Sequence, residues 1–198
     1  MMPDEKRNEK KQEQPGKSLY EWAQALVCSV LAAVVVFAFG ARVGGVSGGS
    51  MRATLEYGDL LLVVNGYLCG DYERGDVVIA AKPTFEGGEP IVKRVIATEG
   101  EVVDVDFDLG VVYVDGQALE EPYIREATYL SEGTEFPFAV PEGCVFLMGD
   151  NRNGSRDSRA PELGAVDERC LIGRAVFLLL PGQTEDLGMR EWDRIGSL

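Results

Sequence analysis

The chain has 198 residues, of which 45% are hydrophobic and 26% are charged, and its formal net charge is −14. This composition suits one globular domain with a smaller additional element, and the acidic excess disfavours nucleic acid as a partner because phosphate groups would be repelled. The sequence contains no histidine, which excludes a Ser-His-Asp triad within the chain and any metal site built on imidazole.

The N-terminal part of the chain divides into a polar segment and an apolar run. Residues 1–17 are charged and nearly free of large apolar side chains, which predicts a disordered cytoplasmic tail. The run from Trp22 to Ala41 is about 20 residues long, enough at ~1.5 Å per residue to cross a bilayer core of ~30 Å. We predict a single transmembrane anchor over residues 18–42, with the N-terminus cytoplasmic because basic residues precede the run. A cleaved secretory signal and a buried core helix are the alternatives.

Downstream, short β-rich runs are separated by Gly, Pro and Asp residues. The pattern predicts strands at residues 59–64, 76–80, 91–97, 101–105, 111–114, 144–148 and 174–180. An Asp-Gly pair at residues 115–116 predicts a hairpin turn. We expect a mainly β, antiparallel domain over residues 43–181, outside the membrane, with a smaller β subdomain at about 106–142. Residues 182–198 are predicted to be a polar, loosely attached tail.

The four cysteines are scattered along the chain without CxxC spacing. This favours buried thiols that act as small hydrophobic side chains, although one disulfide among Cys69, Cys144 and Cys170 stays open. Without histidine or paired cysteines, no metal site of the zinc or iron type is expected.

Ser50 is a candidate nucleophile because it ends a glycine-rich segment, residues 44–49. Glycine permits positive φ angles and close approach of a substrate backbone, both useful around a nucleophile whose own N–H faces a developing oxyanion. A flexible linker that ends in an ordinary serine is the alternative. Since the chain has no histidine, a lysine is the amine that remains to accept the serine proton.

Lys93 is the candidate general base. It lies with Arg94 in a predicted strand that is otherwise nearly all apolar, and alternation places the two cations on opposite faces. One of them is expected to point into a site of low polarity, where burial lowers the pKa of an amine. A neutral amine is what a serine nucleophile requires. An edge-strand lysine that discourages aggregation is the alternative.

The loop at residues 149–159, GDNRNGSRDSR, is dense in small polar and charged side chains. Ser155 is placed to hydrogen-bond an amine, and Asp157 with Arg159 to form an ion pair that holds the loop. A calcium loop is the rival reading, but the acidic residue expected at its end is missing and three arginines intrude. A purely structural turn is a further alternative.

Together these segments resemble the type I signal peptidases, membrane-anchored serine proteases that release exported proteins from their signal peptides. The resemblance covers about residues 18–181. It consists of the apolar run, SMRATL at residues 50–55 with GD at 58–59, VKRVI at 92–96, YVDG at 113–116 with LEEPY at 119–123, and the loop at 149–159.

The resemblance implies that Ser50 is the nucleophile and Lys93 the general base. It implies that Ser155 orients the lysine and that Asp157 and Arg159 form a supporting ion pair.

The resemblance also implies an oxyanion site made by the Ser50 N–H and a donor near Gly48, where some family members carry a serine hydroxyl. Ala53 departs from the family, which usually has proline there.

The implied substrate is an extended preprotein segment emerging from the membrane lipid. Shallow apolar pockets would admit small side chains, typically alanine, at the first and third positions before the cut. The residues expected to line them are Met51, Leu55, Ile91 and Val92. No cofactor and no metal are implied.

Two other functions remain open at this level. A self-cleaving repressor protease uses the same pair of side chains, but the apolar run and the lack of a basic DNA-binding segment argue against it. A catalytically silent β module that serves as a scaffold is the alternative outside the enzymes.

Overall fold

The computed structural model of the protein describes residues 15–183 and 189–198. The chain forms two compact units, the first ending at Phe39 and the second comprising Gly40–Leu198. The predicted disordered tail, residues 1–17, lies outside the described residues except for its last three, which begin the helix of the first unit.

The first unit contains helix α1, Pro15–Val35, and all but the last residue of the π-helical turn that follows it, Val36–Gly40. The helix begins before the apolar run does and includes the polar residues Glu21 and Gln24. Within residues 15–183 and 189–198, no helix is both long enough and apolar enough to cross a membrane. Ala41, at the end of the predicted anchor, already belongs to the first β-strand.

The second unit is built from antiparallel strands. In the described residues these are β1 (Ala41–Gly45), β2 (Leu60–Asn65), β3 (Val77–Ala80), β4 (Ile91–Ala97), β5 (Val102–Asp106), β6 (Val111–Val114), β7 (Gln117–Ala118), β8 (Phe138–Ala139), β9 (Cys144–Met148), β10 (Val166–Asp167), β11 (Leu171–Leu180) and β12 (Gly196–Ser197). The large sheet has the order β1-β2-β11-β3-β4-β9-β10, with β12 paired to β11. The mainly β, antiparallel fold class is therefore confirmed.

The seven predicted strands are all present. Those at 91–97, 111–114 and 144–148 coincide with β4, β6 and β9, and the others differ at their ends, most at β11, which begins at Leu171. The sequence pattern did not predict β1, β8, β10 or β12. In the sequence, the residues of β1 form the end of an apolar run and the start of a glycine-rich segment. Their assignment as a strand depends on pairing with β2.

A second, four-stranded sheet has the order β7-β6-β5-β8 and spans residues 102–139, whereas the sequence placed the smaller subdomain at about 106–142. The predicted hairpin is confirmed, because Tyr113 pairs with Ala118 and Val114 with Gln117. Its turn has positive φ at both central residues, 51° at Asp115 and 75° at Gly116, as a type I′ turn requires.

The loop between β1 and β2 is attached to the large sheet by its own apolar side chains. Val46, Met51 and Leu55 belong to a buried cluster that also contains Leu61 and Val63 of β2. Complete burial of one such side chain is worth roughly 1.5–3 kcal/mol. Packing of this loop therefore helps to determine where Ser50 lies.

The described residues of the C-terminal segment (182–183 and 189–198) are attached to the sheet, so the expectation of a loose tail was wrong for them. Strand β12 pairs with β11. Arg194 forms an ion pair with Asp59 at 2.6 Å, and the Gly182 N–H donates to the same carboxylate at 2.6 Å. The sequence of a polar segment does not indicate which other part of the chain it will contact.

Candidate active site

The structure brings Ser50 and Lys93 into direct contact. Ser50 lies in the nucleophile loop (residues 46–59), between β1 and β2, and Lys93 lies in β4. The distance between Lys93 Nζ and Ser50 Oγ is 2.7 Å, a short hydrogen bond. Two residues that are 43 positions apart in the sequence are thus in the geometry that proton transfer requires.

The amine of Lys93 is removed from water, since the residue is only 3% exposed. Burial lowers the pKa of Lys93 below its ordinary value of 10.5, and the negative charge of Asp157 partly opposes the shift. The ammonium form loses hydration that its surroundings replace only in part, so the neutral amine is favoured. A neutral amine next to a hydroxyl has what a general base requires.

Arg94, the next residue of β4, points the opposite way and is neutralised by an ion pair. Its Nε donates to Asp150 Oδ1 at 2.8 Å and its Nη2 to Asp150 Oδ2 at 2.6 Å. The guanidinium also lies over the Tyr123 ring, 4.1 Å from the centroid. Both basic side chains of the strand are buried, but only Arg94 has a bidentate carboxylate partner.

The loop at residues 149–159 holds the nucleophile loop from the other side. The Asn151 N–H donates to Ser50 O at 3.0 Å, and Asn151 Nδ2 donates to Gly49 O at 2.8 Å. At Gly149 a Cβ atom would overlap both Ser50 O and Ser155 Oγ, so this position requires glycine. These contacts place Ser50 against the end of β9.

Ser155 lies against Gly149 and does not make the predicted hydrogen bond with Lys93. Its Oγ is buried and, among the described residues, has no hydrogen-bond partner. The hydroxyl packs instead on the backbone of Gly149. A buried hydroxyl without a partner is uncommon in folded proteins.

Asp157 and Arg159 form the predicted ion pair, and both side chains are fully buried. Arg159 donates from Nε to Asp157 Oδ1 and from Nη2 to Asp157 Oδ2, each at 2.8 Å. Asp157 Oδ2 also accepts the Gly149 N–H at 2.9 Å, and Arg159 Nη1 donates to Leu130 O at 2.9 Å. The pair therefore supports the backbone on which Ser155 and Asn151 lie.

Ser50 and Gly48, around which an oxyanion site is predicted, both line one cavity. Gly48 has φ of 114°, and a Cβ atom there would meet nothing within 4 Å. The space that a side chain at position 48 would fill is therefore empty of other protein atoms. The backbone conformation nevertheless favours glycine, because a positive φ strains other residues.

The cavity measures about 300 Å³, and both Ser50 and Lys93 line it. Three of the predicted substrate-binding residues, Met51, Ile91 and Val92, line it. Leu55 was assigned wrongly: it is 0% exposed, belongs to the core cluster beneath the nucleophile loop and does not line the cavity. Its position in the turn after Met51 directs its side chain inward.

Several residues of the site were not recognised from the sequence. Thr54 Oγ1 donates to Asp150 Oδ2 at 2.5 Å and joins the nucleophile loop to the Arg94 ion pair. Glu86 and Glu89, in the connection between β3 and β4, line the cavity and give one rim a negative charge. The adjacent basic residues Lys93 and Arg94 were the sequence signal that a buried carboxylate such as Asp150 would be needed as a partner.

Comparison with known proteins places these features in a family. The family model described as "Signal peptidase, peptidase S26" matches residues 19–180, most of the chain. The chain belongs to this family. It is accordingly a hydrolase of the serine endopeptidase class.

Named relatives match over nearly their full length. The signal peptidase I of Bacillus licheniformis is 35% identical over 191 residues, covering 91% of this chain and 96% of the relative. A probable signal peptidase I-1 of Synechocystis is 33% identical, covering 92% of this chain and 90% of the relative. A solved signal peptidase I structure from Enterococcus faecalis V583 aligns with a TM-score of 0.43 at 30% identity, over 52% of this chain and 96% of that one.

Proposed function

We propose that this protein is a membrane-bound serine endopeptidase that removes N-terminal signal peptides from exported preproteins, with Ser50 as nucleophile and Lys93 as general base. The observation that carries the proposal is the 2.7 Å contact between Ser50 Oγ and the buried Lys93 Nζ. The match to signal peptidases I over most of the chain supports the substrate class.

The reaction follows from the pairing of the Ser50 hydroxyl with the Lys93 amine. Neutral Lys93 takes the hydroxyl proton while Ser50 Oγ forms a bond to the carbonyl carbon of the scissile peptide. The Ser50 N–H, with a second donor near Gly48, stabilises the oxyanion of the tetrahedral intermediate. The C–N bond then breaks, and the Lys93 ammonium returns its proton to the leaving amine. Water, deprotonated by Lys93, hydrolyses the acyl-enzyme and regenerates Ser50.

Ser155 is proposed to orient the Lys93 amine once substrate is bound. Its hydroxyl has no competing partner among the described residues, so rotation toward Nζ would break no hydrogen bond. Hydrogen bonds of catalytic groups are often incomplete in a substrate-free site and form in the Michaelis complex.

An extended substrate is proposed to pair with one side of β4. Ile91 to Lys93 pair with β3 on one side, but on the other side the pairing with β9 begins only at Arg94. These three residues line the cavity that contains Ser50. A peptide added there as a strand would hydrogen-bond to their backbone and would bring its carbonyl carbon to the nucleophile.

A preference for small side chains before the cut follows from the size of the cavity. Its walls include Met51, which is 1% exposed, and Ile91. Both side chains are packed into the core, so they cannot move aside for a larger substrate side chain. A volume of about 300 Å³ must accommodate backbone as well as side chains. Alanine at the first and third positions before the cut is therefore expected to fit, and large residues are expected to clash.

The apolar run is proposed to hold the catalytic domain at the outer face of the cell membrane, with the N-terminus in the cytoplasm. Its support is the sequence between Trp22 and Ala41, together with the basic residues that precede it. Attachment would raise the effective concentration of membrane-borne substrates. Carbonate washing of membranes should leave the protein in the pellet, and Leu31→Arg should release part of it.

Preprotein cleavage by the wild type, Ser50→Ala and Lys93→Ala tests the enzymatic proposal. Loss of the base should lower turnover roughly 10²–10⁴-fold, and loss of the nucleophile at least as much. Lys93→Arg should also be inactive because a guanidinium stays protonated. Equal cleavage by all four proteins would remove the assignment and favour a catalytically silent module.

A further inference from the structure

The nucleophile loop (residues 46–59) is closed at its base by backbone hydrogen bonds. The Val46 N–H donates to Asp59 O and the Gly58 N–H donates to Val46 O, each at 2.9 Å. Between these points the chain leaves the sheet, carries Ser50 and returns. The position of the nucleophile therefore depends on the contacts that hold the loop above its base.

The Asp59 carboxylate organises the returning half of the loop. Asp59 is 0% exposed, and its Oδ2 accepts the Glu56 N–H at 2.9 Å. Its charge is compensated from outside the loop by Arg194, which donates to Oδ1 at 3.2 Å and to Oδ2 at 2.6 Å. A buried carboxylate that loses its cation is strongly destabilised, so this pair matters to the loop.

Arg194 also contacts the loop backbone directly. Its Nη2 donates to Thr54 O at 3.1 Å, while the Thr54 hydroxyl donates to Asp150. One residue of the loop is therefore held both by the C-terminal segment and by the Arg94–Asp150 pair.

The residue before Thr54 explains why such holding is needed. Ala53 has φ of 102°, a conformation that alanine adopts only under constraint. A strained backbone of this kind persists where surrounding contacts over-determine it. Without them, the turn after the nucleophile is expected to relax toward negative φ, and this would move the segment that follows Ser50.

We propose that Arg194 is a positioning residue, through which the C-terminal segment holds the nucleophile loop in its reactive geometry. The role in turnover rests on the proposed function of the site. The structural part of the inference, that Arg194 orders the nucleophile loop, does not depend on it. The C-terminal segment is then part of the catalytic machinery rather than an appendage.

The test compares full-length Arg194→Ala with Arg190→Ala, an exposed arginine of the same segment that serves as the matched control. We expect Arg194→Ala to lower kcat for preprotein cleavage about ten- to a hundredfold with KM nearly unchanged, because the loop positions the nucleophile rather than the substrate. Arg190→Ala should match the wild type. Wild-type kcat in Arg194→Ala would overturn the proposal.

Arg194→Lys separates charge from geometry. Lysine keeps the charge beside Asp59 but cannot reach both carboxylate oxygens and Thr54 O in one fork. An intermediate kcat is expected. If Arg194→Ala does not fold, this variant decides the question at a temperature where it is folded, and wild-type turnover there would contradict the proposal.

Hydrogen exchange gives a readout that does not require activity. Peptides covering residues 50–58 should lose protection in Arg194→Ala and keep it in Arg190→Ala, with peptides of β4 and β9 unchanged. Unchanged protection in the loop would refute the inference even if cleavage falls. Conversely, a wild type that cleaves no preprotein would refute the proposed function and leave the exchange result to judge Arg194.

Discussion

Lys93 and Arg94 are adjacent in one strand, and both are buried, but their surroundings differ. Arg94 is matched by Asp150 in a bidentate pair, its Nη1 donates to Gly75 O, and its guanidinium lies over the Tyr123 ring. Lys93 hydrogen-bonds to a neutral hydroxyl, and burial lowers its pKa. Burial with a matched counter-ion keeps a cation charged and makes it structural. Burial without one favours the neutral form, which is the form that the proposed base role requires.

Lys93→Met should separate activity from stability most clearly. Turnover of preprotein should fall about 10³-fold, because among the described residues no other amine hydrogen-bonds to Ser50 Oγ. The free energy of unfolding at pH 7 should stay equal to that of the wild type or rise, since a desolvated amine is replaced by an apolar side chain of similar length. Denaturant titration in detergent measures it, and a large loss of stability would show that Lys93 is structural.

Arg94→Met should have the opposite profile. Its removal leaves the fully buried Asp150 carboxylate without its cation, which should lower the free energy of unfolding by about 3–5 kcal/mol. Arg156→Met is the matched control, because the Arg156–Glu162 pair is exposed and 3.4 Å apart, and it should change stability by less than about 0.5 kcal/mol. Equal effects of the two variants would contradict the contrast.

The dependence on pH sharpens the comparison. Since kcat/KM requires the neutral amine, it should rise with pH through a midpoint below 10.5, the ordinary pKa of lysine. Stability should respond in the same direction. Between the lowered pKa of folded Lys93 and 10.5, the unfolded chain binds more protons, so the free energy of unfolding rises with pH. This contribution should disappear in Lys93→Met, and an unchanged slope in that variant would assign it to other groups.

Ser155→Ala should have the smallest effect on stability. The Oγ atom has no hydrogen-bond partner in the described residues, so its removal should leave the melting temperature unchanged or slightly higher. Turnover should fall about tenfold if the hydroxyl orients Lys93 in the substrate complex. A melting temperature far below that of the wild type would instead assign Ser155 to structure.

Much of the site was predictable because its residues are unusual for their surroundings. A chain without histidine that combines Ser50 after glycines, a lysine inside an apolar strand and the loop at 149–159 leaves few chemical alternatives. The Asp157–Arg159 pair was predictable from spacing alone. Leu55 was assigned to the substrate pockets wrongly because an apolar residue type in a loop does not reveal whether the side chain turns toward the core.

What the sequence determined by itself is the set of candidate catalytic residues and most of the strands, because these depend on residue type and on local periodicity. The tertiary structure alone decided which groups compensate one another. The attachment of Arg194 to Asp59, the contact of Thr54 with Asp150 and the open side of β4 beside Ser50 all join segments far apart in the chain. Such contacts depend on how the strands are ordered in the sheet, and local sequence carries no record of that order.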